Sequence, residues 1–167
     1  MKKNVFYSFA FALVVCCLLG SCKKDVDTKS YNPETLLTAI NALRATGCVC
    51  GTGTSTSIMP PVRPAVWNDL LEKAAQYHSD DMEMQDYYSH GSKDGRGLGT
   101  RVTAVGYKWA GLGEAIGGAN TDENFIKSIQ KSQGHCEGMM NKDWYEIGVA
   151  RSGVGYRYTY VMATPAK

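Results

Sequence analysis

The side chains of this sequence that are best suited to chemistry are its histidines. There are three, His78, His90 and His135, and a neutral imidazole can bind a late transition metal or transfer a proton near neutral pH. None of them belongs to a local metal-ligand motif such as His-Glu-x-x-His. No recognisable motif places a serine or cysteine nucleophile beside them. Local spacing alone therefore identifies neither a metal centre nor a catalytic triad.

The cysteines bear on stability rather than catalysis. Three of the six lie within the first 22 residues, and the others are Cys48, Cys50 and Cys136. One residue separates Cys48 from Cys50, a geometry that strains a direct disulfide. We expect Cys136 to pair with Cys50, with Cys48 as the alternative partner, because thiols oxidise outside the cytoplasm. Either pairing closes a loop of roughly 86 residues and leaves one thiol free.

The N-terminus has the features of an export signal. Lys2 and Lys3 precede an apolar run over residues 5–19, which is shorter than the roughly 20 residues of a spanning helix. The segment Leu19-Gly20-Ser21-Cys22 resembles the lipobox of bacterial lipoproteins, which are cleaved before the cysteine and acylated on its thiol. We therefore expect a signal peptide over residues 1–21. An uncleaved anchor helix is the alternative.

Cleavage would leave Cys22 as an N-terminus carrying acyl chains such as palmitate, which hold a protein stably on a membrane. Residues 22–32 are then the lipidated cysteine and a polar tether. The residue after Cys22 is Lys23, not the aspartate that retains some lipoproteins at an inner membrane. We expect a bacterial envelope lipoprotein, anchored in the outer membrane.

The charge balance excludes one class of partner. The formal net charge of +2 includes Lys2 and Lys3, so the expected mature chain has 16 basic and 16 acidic side chains. Nucleic-acid-binding domains carry a basic excess. We therefore expect no nucleic acid as partner.

The remainder, residues 33–167, has room for one domain in which helices precede strands. Apolar spacing and capping residues predict helices near 33–46, 67–87 and 98–105, and another from 121. His78 falls on the buried stripe of the second helix and is predicted to be a core residue. Loops are expected at 51–64 and 91–100, strands at 146–151 and 156–163, and a short strand or turn at 113–118. This order predicts an α+β fold.

Several segments resemble, in order, motifs of the CAP family of secreted cysteine-rich, venom-allergen and pathogenesis-related proteins, and the bacterial branch is the most similar. They are residues 36–44, Trp67-Asn68 with His78-Ser-Asp-Asp-Met82, Tyr88-Ser-His90, Arg101, Gly113-Glu-Ala-Ile116, Ser132-Gln-Gly-His135 and Glu146-Ile-Gly-Val149. The resemblance spans about residues 33–163. It implies a three-layer α-β-α sandwich with a surface cleft.

In many CAP proteins this cleft holds two histidines and two acidic residues. Carried onto this sequence, the resemblance implies His90, His135 and Glu114 as the cleft residues. The second acid is missing, because residues 125–132 contain no aspartate or glutamate. The other departures from the family pattern are Ala115, Ile129 and Gly138. The implied site is incomplete, so no cofactor is firmly expected, and a divalent metal such as Zn²⁺ would bind weakly through His90 and His135.

These features favour a non-enzymatic binding module over an enzyme. Its ligand would be a lipid, a glycan or a protein, held in the cleft or its loops. The alternative is a metal-assisted hydrolase that uses the same three residues, with Glu114 as general base. A purely structural envelope lipoprotein is a third hypothesis.

Overall fold

The computed structural model describes residues 29–167. The predicted signal peptide, the Cys22 lipidation site and the first part of the tether lie outside the described residues. The elements are α1 (Pro33–Thr46), β1 (Cys48–Thr52), β2 (Ser55–Met59), β3 (Val66–Trp67), α2 (Asp69–Met84), α3 (Leu98–Ala104), β4 (Trp109–Gly118), α4 (Asp122–Lys131), α5 (Gln133–Met139), β5 (Glu146–Arg151) and β6 (Arg157–Pro165).

Side-chain caps set where the longer helices begin. The side chain of Asn32 accepts a hydrogen bond from the Thr35 amide before α1, and Asn68 does the same for two amides of α2. Thr121 caps α4 in the same manner. Each cap satisfies backbone donors that the first helical turn leaves without a partner.

Four strands form the central sheet in the order β3-β5-β6-β4. The pairs β5–β6 and β4–β6 are antiparallel, and the short β3 runs parallel to β5. Strand β6 is therefore central, and its residues 158–163 are buried. This register places Glu114 opposite Val161, near the middle of β4, which is an edge strand of the sheet.

Helices cover the sheet on both sides. Helix α2 packs on β5 and β6, while α4 and α5 contact β4 and α1 contacts α4. The approach of α2 requires Gly148, since a Cβ atom there would lie 2.0 Å from the backbone nitrogen of Glu72. The predicted α+β fold with a three-layer α-β-α sandwich is thus confirmed.

One predicted loop was wrong in its first half. Residues 48–59 form an antiparallel hairpin, β1–β2, in which Thr52 pairs with Ser55 across a two-residue turn. Gly53 occupies that turn with φ +62°, as tight hairpin turns require. The threonines of this segment favour extended backbone, and that preference outweighed the glycine and serine content.

The end of the predicted tether belongs to the folded body. Tyr31 is buried, and its hydroxyl donates a hydrogen bond to Glu72 of α2. Ser30 donates a hydrogen bond to the carbonyl of Ser152 at 2.9 Å. Within residues 29–167, no helix has the length and apolar character needed to span a membrane.

Candidate functional site

We call His90, Glu114 and His135 the cleft residues, because the family resemblance assigns them to a cleft. Strand β4 and the loop between α2 and α3 bring the first two of them together. His90 Nδ1 lies 2.8 Å from Glu114 Oε1. The Glu114 side chain is only 3% exposed, whereas that of His90 is 56% exposed. Because a carboxylate can only accept, Nδ1 carries the proton. In the neutral imidazole the Nε2 lone pair is then free to act as a base or a ligand.

Arg101 of α3 holds this carboxylate in place. Its guanidinium donates a hydrogen bond to Glu114 Oε2 at 2.6 Å, and both side chains are almost fully buried. It also donates to the backbone carbonyls of His90 and Arg96 at 2.9 and 3.0 Å. One buried cation therefore fixes both the carboxylate and the loop that carries His90.

The third cleft residue, His135, lies on α5. Its ring centroid is 6.3 Å from that of His90, and the two rings are inclined by 63°. Burial, and then the charge of His90, lower the pKa of His135 below its usual value. The imidazole of His135 is therefore neutral at pH 7, the state in which it can accept a proton or bind a metal.

A disulfide ties α5 to the hairpin beside the cleft. Cys136, next to His135, is joined to Cys50 of β1, with 5.3 Å between their Cα atoms. Among residues 29–167, Cys48 is the free thiol, and its Sγ lies 3.8 Å from that of Cys136 and 3.9 Å from that of Cys50. Burial raises the pKa of the Cys48 thiol, which lowers its reactivity at neutral pH.

His78 lies outside the cleft, in the core position that its helical stripe predicts. It is 1% exposed, and its Nε2 donates a hydrogen bond to the carbonyl of Ser89 at 3.0 Å. Burial, followed by the charge of Arg101, lowers the pKa of His78. Its role is to support the loop from which His90 projects.

The donor atoms of His90, Glu114 and His135 do not form a closed metal cluster. Within residues 29–167, three metal-ligating side chains have mutually close donor atoms only at Cys48, Cys50 and Cys136. Two of these are oxidised in the disulfide. Both oxygens of Glu114 already accept hydrogen bonds, so the ring nitrogens of His90 and His135 are the atoms left to bind a metal. Structural zinc sites normally need four protein ligands.

Within the described residues, no serine or threonine forms a nucleophile–base pair with His90 or His135. Among the residues described, no hydroxyl group and no thiol is hydrogen-bonded to His90 or His135. Ser132 occupies the position before α5, but its side chain makes no capping hydrogen bond. The segment that lacks the second acid forms most of α4.

A separate apolar groove runs between α1 and α4. It has a volume of about 380 Å³ and is lined chiefly by Leu36, Ala39, Leu43 and Ile126. Asp122, Glu123 and Lys127 also border it. The groove combines an apolar floor with charged groups, as an amphiphilic ligand requires.

The sequence analysis missed two functional features, the role of Arg101 in the site and the separate groove between α1 and α4. Arg101 carried no assigned role, although its place in a resembling motif was a signal. The α1–α4 groove also went unnoticed, because the same apolar residues are what any packed helix pair requires. Both features depend on contacts between segments that are distant in sequence.

Comparison with known proteins identifies the family. Residues 37–164 match CAP, the cysteine-rich secretory protein family. The uncharacterized protein YkwD of Bacillus subtilis (strain 168) is 28% identical over 89 residues, which are 53% of this chain and 35% of that protein. This chain thus spans about a third of that relative.

Solved structures agree in fold. An extracellular protein containing an SCP domain from Bacillus anthracis str. Ames superposes with a TM-score of 0.59 and 23% identity, over 62% of this chain and 34% of that one. An outer surface protein from Borrelia burgdorferi gives a TM-score of 0.65 with 15% identity, over 80% and 92% of the two chains. At these sequence identities, the comparison with solved structures shows a shared fold only.

Proposed function

The chain belongs to the cysteine-rich secretory protein (CAP) family, and from that premise we propose that it is a bacterial envelope lipoprotein whose cleft binds a ligand without catalysing a reaction. The anchor is the lipidated Cys22. The observation that carries the cleft proposal is the pair of imidazoles 6.3 Å apart. Within this pair, His90 is oriented by Glu114 with its Nε2 free.

Binding is favoured over hydrolysis by what surrounds these imidazoles. Glu114 is engaged by Arg101 and His90, so it accepts hydrogen bonds rather than facing a substrate proton. A hydrolase would need an activated nucleophile or a metal-bound water. The hydrolase alternative would use the same His90, His135 and Glu114.

A divalent ion such as Zn²⁺ fits this donor set as a weakly held group on His90 and His135. It would supply a Lewis-acidic centre when bound. Arg101 and Glu114 would act through His90, by fixing the orientation of its ring.

Calorimetry with Zn²⁺ at neutral pH tests the cleft proposal. We use Cys48→Ser as the background, so that the free thiol does not bind the metal, and compare it with added His90→Ala or His135→Ala. Each cleft variant should bind at least about tenfold more weakly, because even the loss of a group that only orients a metal ligand typically costs 10–100-fold. Equal binding in all three proteins would contradict the proposal.

The same proteins distinguish binding from catalysis. A panel of ester and peptide substrates should give no turnover that depends on His90 or His135. Turnover that is abolished by His135→Ala would favour the hydrolase instead.

Among the ligand classes, the groove between α1 and α4 favours a lipid. Its floor of Leu36, Ala39, Leu43 and Ile126 suits an acyl chain. A fluorescent fatty acid should bind the wild type, and Ala39→Trp, which fills the groove, should weaken binding at least about tenfold. Lys131→Trp, on the same helix as Ile126 but not lining the groove, is the matched control. Unchanged binding by Ala39→Trp would rule this groove out.

A further inference from the structure

We propose that one end of the folded body rests on the lipid bilayer, through an apolar patch formed by Met84, Val154 and Tyr156. We call these three residues the tip patch. The proposal rests on the proposed lipid anchor at Cys22, and it adds the orientation of the body on the membrane.

The tip patch lies where the chain joins the body. Ser30 donates a hydrogen bond to the carbonyl of Ser152, and the Arg151 guanidinium donates one to the carbonyl of Ser30 at 3.3 Å. Val154 is two residues beyond Ser152, and its amide donates to the Ser152 hydroxyl. These hydrogen bonds therefore hold the first residues of the body beside the β5–β6 turn.

The rest of the patch is adjacent. The amide of Tyr156 donates a hydrogen bond to Glu83 Oε2 at 3.2 Å, and Met84 follows Glu83 at the end of α2. The Arg151 guanidinium lies 5.2 Å from the Tyr156 ring centroid. One cation therefore contacts both the point of attachment and the patch.

The length of chain before this point restricts how the body can sit. Eight peptide steps separate Cys22 from Ser30, so the segment reaches at most about 28 Å even if fully extended. A domain of this size has a diameter of roughly 35 Å, from a radius of gyration near 14 Å. Because the reach is shorter than the diameter, the body cannot turn the end that carries Ser30 fully away from the bilayer.

The chemistry of this end suits a lipid surface. Val154 is 82% exposed, Met84 73% and Tyr156 62%, although apolar side chains this exposed gain by leaving water. Tyrosine is enriched at membrane–water interfaces, where its ring and hydroxyl both find partners. The carboxylates of Glu83 and Asp86 also lie at this end, so the attraction to the bilayer comes from the apolar side chains and not from net charge. If the tip patch faced water instead of the bilayer, all three of its side chains would remain exposed to solvent.

The opposite end of the sheet supplies an internal reference. Trp109 is 39% exposed and pairs with Pro165, at the far end of β6 from Arg157. Eight steps of extended strand separate Arg157 from Pro165, a distance of about 27 Å. The same bilayer cannot cover Trp109 while the tip patch faces it.

Hydroxyl-radical footprinting of the full lipoprotein tests this orientation. The protein is reconstituted in liposomes of phosphatidylethanolamine and phosphatidylglycerol at about three to one, and compared with Cys22→Ser protein free in solution. We expect the oxidation of Met84 and Tyr156, relative to that of Trp109 in the same sample, to fall at least about threefold. An unchanged ratio overturns the proposal.

Two variants make the test specific. Val154→Asp places a charge in the tip patch at an exposed side chain and should restore the oxidation of Met84 to its solution rate. Ile58→Asp changes a side chain that is 86% exposed on the β1–β2 hairpin, and Met84 should stay protected. If Val154→Asp leaves the protection of Met84 intact, the patch is not the contact.

A failed anchor is distinguished from a failed surface by intact mass. If no acyl group is found on Cys22, the anchor proposal fails. The mature Cys22→Ser chain with an N-terminal hexahistidine is then attached to nickel-chelating lipid in the same liposomes. Protection of Met84 and Tyr156 in that sample supports the tip patch, and its absence overturns it.

Discussion

Removal of Arg101 gives the sharpest prediction from the cleft. Arg101 and Glu114 are 4% and 3% exposed and are joined by a hydrogen bond of 2.6 Å. Arg101→Met keeps an unbranched apolar stem but removes the guanidinium, which leaves Glu114 buried without its cation. Breaking a buried ion pair on one side typically costs about 3–5 kcal/mol of unfolding free energy. We expect a loss in that range.

For a body of this size, about 3–4 °C of melting temperature corresponds to each kcal/mol, so the midpoint should fall by about 9–20 °C. Urea unfolding with matched thermal scans measures both quantities. Arg101→Met/Glu114→Gln should recover part of the loss, because the second change removes the unpaired charge.

The matched control is an exposed pair of the same type. Lys127 and Glu123 lie one helical turn apart on α4 and are 60% and 75% exposed. Lys127→Met should cost less than about 0.5 kcal/mol, as exposed pairs do. If Arg101→Met costs no more than Lys127→Met, the inference that Arg101 organises the cleft is refuted.

Three further predictions concern the disulfide, pH and the anchor. Cys136→Ala should lower the unfolding free energy by about 2–5 kcal/mol, because it removes the disulfide. Cys48→Ala should lower it much less. Non-reducing peptide maps that join Cys48 to Cys136 would contradict the pairing of Cys50 with Cys136. Since the folded-state pKa of His135 is lowered, its contribution to stability is complete above the reference pKa of about 6.5 and is lost as pH falls through the folded value. Between pH 7 and pH 5, His135→Gln should therefore lose less stability than wild type in urea titrations, and equal losses would exclude this contribution. Cys22→Ser should abolish the acyl mass on the mature N-terminus and release the protein from membranes or leave it unprocessed, whereas a soluble wild-type protein that begins elsewhere would exclude the anchor.

The parts of the fold that sequence predicted well are those with local causes. Asn32 and Pro33 begin α1, and Thr121 begins α4, because each cap depends only on its neighbours. The stripe that carries Leu71, His78 and Met82 is buried as its helical spacing indicates. The hairpin β1–β2 was missed because its glycines and serines are typical of loops, and the strand preference of its threonines was given too little weight. Only the cross-strand pairing distinguishes the two.

The site was less predictable because it is assembled from distant segments. His90 and His135 are brought together by the sheet and by α5, which no local pattern encodes. For a similar reason, the sequence did not decide whether Cys136 forms its disulfide with Cys48 or with Cys50. Cys48 and Cys50 are two residues apart on β1, so they face the same side of the strand, and both sulfurs lie near Cys136. The long-range packing of α5 against the hairpin selects Cys50.

The most direct test of the cleft is the response of its imidazoles to metal, followed by ¹H–¹⁵N NMR. The chain has three histidines, so each ring can be assigned by single substitution, and the buried His78 serves as the internal control. Before metal is added, we expect a protonated Nδ1 on His90. On titration with Zn²⁺ in the Cys48→Ser background, His90 Nε2 and one nitrogen of His135 should shift together while His78 stays unchanged. Shifts confined to one of the two cleft rings, or to neither, would contradict the conclusion that His90 and His135 form a single binding site.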